Sequence, residues 1–84
     1  MQRDGQQPVD KGLMKISAAA EAAGVSVQTI EYYIMLGLID PLRRPGKRGR
    51  LFGPEHVRRI RLIRQLNASG YSLQAIRETY LRDK

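Results

Sequence analysis

The side chains with the clearest chemistry in this chain are its cations. From Arg43 to Arg64 the sequence places Arg43, Arg44, Lys47, Arg48, Arg50, Arg58, Arg59, Arg61 and Arg64, and the carboxylate among them is Glu55. A block of nearly one sign suits a polyanion, because each phosphate neutralised by Lys or Arg releases condensed counterions. A charge run can also serve solubility alone, but interspersed signs serve that purpose better. Over the whole chain 15 Lys and Arg stand against 8 Asp and Glu, a formal net charge of +7.

Other chemistries have little to build on. The chain has no cysteine, which removes disulfides, thiolate zinc sites and thiol catalysis together and fits a reducing cytoplasm. His56 is the one histidine, a poor metal or catalytic candidate by itself; it reads as early-helix surface or as a phosphate donor. The carboxylates are scattered, with no pairing suited to acid–base work. The glycines lack the strand–loop–helix context of a nucleotide-binding fingerprint. The sequence therefore points away from an enzyme and implies no cofactor and no metal. The polar N-terminus has no apolar core of the signal-peptide kind. No apolar run approaches the roughly 20 residues that span a bilayer.

The elements that must position the cations are short. With 84 residues there is room for one domain and a core that is marginal in size. Residues 1–12 read as a flexible tail without periodicity, and residues 13–84 as the domain. Leu13 to Ile16 suits an extended lead-in. Ser17 suits the N-cap of a helix of alanines, and Gly24 its stop. Gly24-Val25-Ser26 then forms a turn, with Val25 as an apolar plug. Ser26 caps a second helix from Val27 to about Leu36, ended by Gly37, with Ile30 and Ile34 facing the core. Two short helices joined by a tight glycine-containing turn are the helix-turn-helix signature. After Pro41, the Pro45-Gly46-Lys47-Arg48-Gly49 centre is turn chemistry flanked by segments that can pair as a two-stranded ribbon, a candidate wing. Pro54 and Glu55 suit the start of a third helix, with Val57, Ile60, Ile63 and Leu66 on its apolar face and Gly70 at its close. Ser72 caps a fourth helix, with Leu73, Ile76 and Tyr80 on one side and no obvious stop before the chain ends. The fold class is mainly α: four helices with a short two-stranded wing.

On the second helix, Gln28, Glu31 and Tyr32 fall on the face away from Ile30 and Ile34. Glutamine can read adenine bidentately in a major groove, and the methyls of Val27 or Thr29 can meet thymine. Tyr32 and Tyr33 should split, one ring packing in the core and the other reaching a phosphate. The wing cations Arg43, Arg44, Lys47, Arg48 and Arg50 suit backbone contacts, with minor-groove insertion at Arg48. Arg58, Arg59, Arg61 and Arg64 span most of a helix circumference, so they cannot all face one ligand. Arg59 is the expected contact, the others pairing with Glu55 or Glu78 or standing in solvent.

Residues Lys15 to Leu81 resemble the N-terminal domain of MerR-family regulators. The resemblance is carried by Lys15-Ile16-Ser17, Gly24-Val25-Ser26-Val27, Thr29-Ile30, Tyr32-Tyr33, Gly37-Leu38-Ile39, Arg50-Leu51-Phe52, Leu62-Ile63, Leu66, Gly70-Tyr71-Ser72-Leu73 and Ile76-Arg77. It implies a winged helix-turn-helix that reads double-stranded promoter or operator DNA, working as a homodimer and distorting the promoter spacer in bacterial transcription control. RNA polymerase is a further partner on that reading, and the place of action is the cytoplasm, at the nucleoid. The expected DNA-contacting set is Ser26, Val27, Gln28, Thr29, Glu31, Tyr32, Arg43, Arg44, Lys47, Arg48, Arg50, His56 and Arg59; the resemblance puts Tyr32 on a phosphate and adds weight to Arg50.

Three departures from the family pattern bear on these expectations. Gln28 and Glu31 stand where the family often has arginine. A carboxylate at 31 is repelled by phosphate unless it accepts from a cytosine amino group or pairs with a nearby arginine. Arg48-Gly49 replaces Gly-Tyr in the wing. The long dimerisation helix and effector domain of the family are not in these residues, so the chain reads as a fragment or as a short member built of the DNA-binding domain alone. Two other readings remain open: a phage excisionase-like architectural protein, and, from a different class, a protein-interaction module using Tyr80 and Leu81 of the fourth helix.

Overall fold

The computed structural model describes residues 12–43 and 49–79. Four helices follow in order: α1 (Ile16–Ala23), α2 (Val27–Met35), α3 (Pro54–Ala68) and α4 (Leu73–Thr79). Helix α1 packs on both α2 and α3, and α4 packs on α3. The expected lead-in is present: Met14 and Phe52 exchange backbone hydrogen bonds of 2.9 and 2.8 Å as an antiparallel bridge. Leu42 and Leu51 form a second antiparallel bridge, at 2.9 and 2.8 Å, which is the base of the wing. Among the described residues the ribbon amounts to these isolated bridges. Residues 1–11, for which a flexible tail was expected, residues 44–48 of the expected wing, and Tyr80 and Leu81 lie outside the described residues.

One boundary differs from expectation. Ser17 is not the N-cap of α1; the cap is Lys15, and the helix begins at Ile16 with no side chain capping it. The reason is tertiary. Pairing of Met14 with Phe52 sets where the extended lead-in ends, and the Lys15 carbonyl accepts from the Ala19 amide at 2.9 Å to open the helix. That placement lets Ile16 pack against the core. Ser17 is left in the first turn, exposed.

The other helix ends follow local chemistry. Gly24 adopts φ 75°, a left-handed stop for α1. Its amide donates to Glu21 O at 3.3 Å and that of Val25 to Ala20 O at 3.0 Å, the paired bonds of a Schellman motif. Gly37 repeats the arrangement after α2 at φ 80°, with Gly37 bonded to Ile34 O at 3.0 Å and Leu38 to Tyr33 O at 2.8 Å. Between these stops, the Ser26 hydroxyl accepts from the Thr29 amide at 3.0 Å and caps α2 as expected. Ser72 caps α4 in the same way, accepting from the Ala75 amide at 3.0 Å.

The core draws on every element. Ala19, Ala20 and Ala23 give α1 a smooth face; Ile30 and Tyr33 come from α2, and Leu38 and Ile39 from the segment after it. Phe52, Val57, Ile60, Ile63 and Ile76 complete it, while Ile34, Leu66 and Leu73 pack at its edge. Deleting large side chains from such a core typically costs about 2–5 kcal/mol each. For a domain of this size that is a large share of total stability.

Candidate nucleic-acid interface

With Ile30 and Tyr33 buried, α2 must present its opposite side to solvent, and that side carries Gln28, Glu31 and Tyr32. The two tyrosines divide as expected: Tyr33 is 5% exposed and Tyr32 48%. Burial pushes the Tyr33 phenol above its ordinary value of 10.0, opposed by the charge of nearby Arg64. Val27 is exposed at the start of the helix and Thr29 half-buried beside the cap. The Ser26 hydroxyl is occupied by the cap and lies 2.9 Å from the Thr29 hydroxyl, so both act first to start the helix.

Sequence reasoning passed over Met35, which is 72% exposed and lines a shallow groove with Gln28, Glu31, Tyr32 and Ile34. The spacing of 28, 31, 32 and 35 is one helix face, so the signal was available. Arg64 belongs to the same side of the domain. It borders a second groove with Gln28, Thr29 and Tyr32, which places this α3 cation beside the outer face of α2.

Glu31 and Arg50 come together across 19 positions of sequence. The guanidinium donates through Nη1 to Oε1 at 2.9 Å and through Nη2 to Oε2 at 2.8 Å. This is the bidentate fork that planar guanidinium and carboxylate groups favour. It holds the Glu31 carboxyl below its ordinary value of 4.5 and raises the already high value of the Arg50 guanidinium, through the hydrogen bonds first in each case. Of the outcomes open to a carboxylate at this place, pairing with an arginine is the one the structure contains, and the arginine is the one on the wing arm.

His56 is half-buried, and both of its ring nitrogens have backbone partners. Nδ1 accepts from the Gly53 amide at 2.9 Å, so the proton sits on Nε2, which donates to the Asp40 carbonyl at 3.0 Å. The ring also meets Phe52 edge-on, with centroids 5.9 Å apart. With both nitrogens committed to backbone, His56 brackets the start of α3 to the segment leaving α2. Its acceptance from Gly53 is half of a capping box; the N-cap is a glycine, with no side chain to return the bond. Arg59 has a related role: its Nε donates to the Leu38 carbonyl at 3.1 Å and braces the exit of α2. Arg43 is exposed at the base of the wing, whereas Arg44, Lys47 and Arg48 lie outside the described residues. Among the described residues, no ion pair joins Arg58, Arg61 or Arg64 to Glu55 or Glu78; Glu78 accepts instead from Gln74 at 3.2 Å.

Among the described residues no group of three or more His, Cys, Asp or Glu gathers where a metal ion would bind. Among the same residues, no helix is long and apolar enough to cross a membrane. What the geometry offers is an exposed helix face carrying hydrogen-bonding side chains, flanked by cations on the wing arm and on α3.

Comparison with known proteins places that face in context. Residues 14–82 match the family model described as MerR HTH family regulatory protein. The HTH-type transcriptional regulator HmrR of Sinorhizobium medicae is 37% identical over 65 residues, covering 77% of this chain and 44% of that protein. The HTH-type transcriptional regulator ZntR homolog of Haemophilus influenzae is 39% identical over 64 residues, covering 76% of this chain and 47% of the relative. This chain thus spans less than half the length of these curated relatives. Among solved structures, the regulator PbrR691 from Ralstonia metallidurans, in complex with lead(II), superposes with a TM-score of 0.71 at 31% identity, covering 77% of this chain and 51% of that one. HiNmlR, a MerR-family regulator lacking the sensor domain and bound to promoter DNA, gives a TM-score of 0.72 at 27% identity, covering 84% and 57%. On the strength of a family match running over nearly all its described residues, the chain belongs to the MerR family of helix-turn-helix regulatory proteins, a family of regulators rather than enzymes.

Proposed function

We propose that this chain is the DNA-reading domain of a bacterial transcription regulator. Helix α2 lies in the major groove, and the wing lies on the flanking phosphate backbone. The observation that carries this is the outward face of α2, with Gln28, Glu31 and Tyr32 exposed beside Arg50 and Arg64, in a fold shared with a family regulator bound to promoter DNA. Gln28 reads a base edge, with Val27 and Thr29 as apolar neighbours for a thymine methyl. Tyr32, Arg43 and the wing-tip cations Arg44, Lys47 and Arg48 meet phosphate and set register. Arg59 contributes by bracing α2, and Ser26 by starting it. The full protein acts as a two-fold dimer on a pseudo-palindromic site, with RNA polymerase as a neighbour on the promoter, inside the cell at the nucleoid.

Selection from a randomised duplex pool, followed by fluorescence-anisotropy titration at several salt concentrations, tests the reading. The expected result is one enriched inverted-repeat motif, bound about 10³-fold or more tighter than random duplex and weakened steeply by salt. Gln28→Ala should relax one base position while leaving the salt slope unchanged. A tandem motif would transfer the reading to an architectural role. Weak binding without a motif, unchanged when the wing arginines are replaced by alanine, would remove DNA as the partner.

A further inference from the structure

We infer that Glu31 is a specificity-determining residue that acts by holding Arg50, so that the pair lowers affinity for random DNA and raises discrimination. The inference rests on the DNA-binding reading above. Its ground is the placement and charge of the pair. Glu31 projects from the middle of the exposed face of α2, and its carboxylate is gripped at both oxygens by the guanidinium of the wing arm. The pair is half-exposed on the Glu31 side and largely covered on the Arg50 side.

Three consequences follow from elementary electrostatics. First, Arg50 brings its charge to the interface already compensated, so the pair as a unit displaces no counterion from DNA. Second, the carboxylate stays ionised on the groove-facing helix, where it repels phosphate and the acceptor edges of guanine and thymine. Each oxygen keeps a second lone pair, so the exocyclic amino group of cytosine remains acceptable. A duplex that does not place such a donor opposite Glu31 is penalised. Third, the fork ties α2 to the wing arm, so base reading and backbone contact are made by one rigid unit rather than two that adjust separately.

The charge arithmetic defines the test. The wild-type pair sums to zero, Glu31→Gln leaves +1, Arg50→Gln leaves −1, and the double variant returns to zero. Each protein is titrated against its selected operator and against random duplex over a series of salt concentrations, with a thermal melt to verify folding. Glu31→Gln should bind random duplex several-fold more tightly at low salt, with the log–log slope steeper by about one. Its preference for operator over random duplex should fall by at least about fivefold, the lower end of what one base position carries. Arg50→Gln should weaken both duplexes, because the bare carboxylate then faces the phosphates. The double variant should regain the wild-type slope without regaining the wild-type preference. If Glu31→Gln leaves the slope and the preference as they are, or if its steeper slope survives in the double variant, the inference is overturned while DNA binding stands. If the wild-type protein shows no salt-dependent preference for any duplex, the functional reading itself fails.

Discussion

Helix α2 is delimited by its own neighbours in sequence. The Ser26 hydroxyl starts it, and Gly37 in a left-handed conformation stops it. The wing arm at residues 50–52 has no such local device. It is held by bonds to Leu42 and to Met14, by burial of Phe52, and by the fork to Glu31. The two regions meet at the Glu31–Arg50 fork, yet one is specified by short-range chemistry and the other by contacts distant along the chain. Damage to one end of α2 should therefore be modest and graded, whereas damage to the anchor of the arm should reach the whole domain.

The comparison is broken most severely at Phe52. Its ring is fully buried between the lead-in and α3, so Phe52→Ala should cost about 3–5 kcal/mol. A thermal or urea melt should then show a domain largely unfolded at ambient temperature, and a nearly unchanged midpoint would disprove the anchoring role. Gly37→Ala comes next. A residue with a Cβ pays about 1–2 kcal/mol for the left-handed conformation. The added carbon would also lie 3.2 Å from Nε of Arg77, so that side chain must give by a few tenths of an ångström. Gly24→Ala meets nothing within 4 Å and should cost only the conformational part, so the two melts together separate strain from crowding. Ser26→Ala, which removes the cap of α2, should cost about 1 kcal/mol and leave the wing arm as it is. Amide exchange that rises in the first turn of α2 and not at Leu51 would match that expectation.

The smallest effect sharpens the point where the two regions touch. The Glu31 carboxyl should titrate below 4.5 in a pH series followed by NMR, and return to its ordinary value in Arg50→Gln. Because the folded value is the depressed one, the stabilisation is present in full above the unfolded value. It fades as the pH is lowered through the folded value. The Glu31 carboxylate is half-exposed, so the influence of the pair on stability is slight and screened by salt. Its influence belongs to the interface rather than to the fold.

The same division explains how much could be read from the chain by itself. The glycine stops, the Ser26 and Ser72 caps, the apolar face of α3 and the split between Tyr32 and Tyr33 are all encoded within a turn or two of helix. Each is where its residue types require. The start of α1 lies two residues earlier than its capping chemistry suggests, because a contact with Phe52, far along the sequence, outweighs the capping preference of Ser17. The backbone partners of His56 are not legible in its neighbours along the chain. Its commitment to Gly53 and Asp40 depends on α2 and α3 being folded against each other. Likewise, sequence admits an arginine partner for Glu31 but cannot choose among the many cations available. The choice of Arg50 is made by the antiparallel pairing of Leu42 with Leu51, which carries the arm past the helix.

The matched glycine stops at 24 and 37 have a consequence for engineering. Each closes its own hydrogen bonds within a few residues, so the segment between them behaves as a cassette whose ends are sealed independently of its solvent-facing letters. On the proposed DNA-binding reading, exchanging Gln28, Tyr32 and Met35 as a set should redirect the reading of a duplex, provided Ile30 and Tyr33 keep filling the core and position 31 is always changed together with position 50.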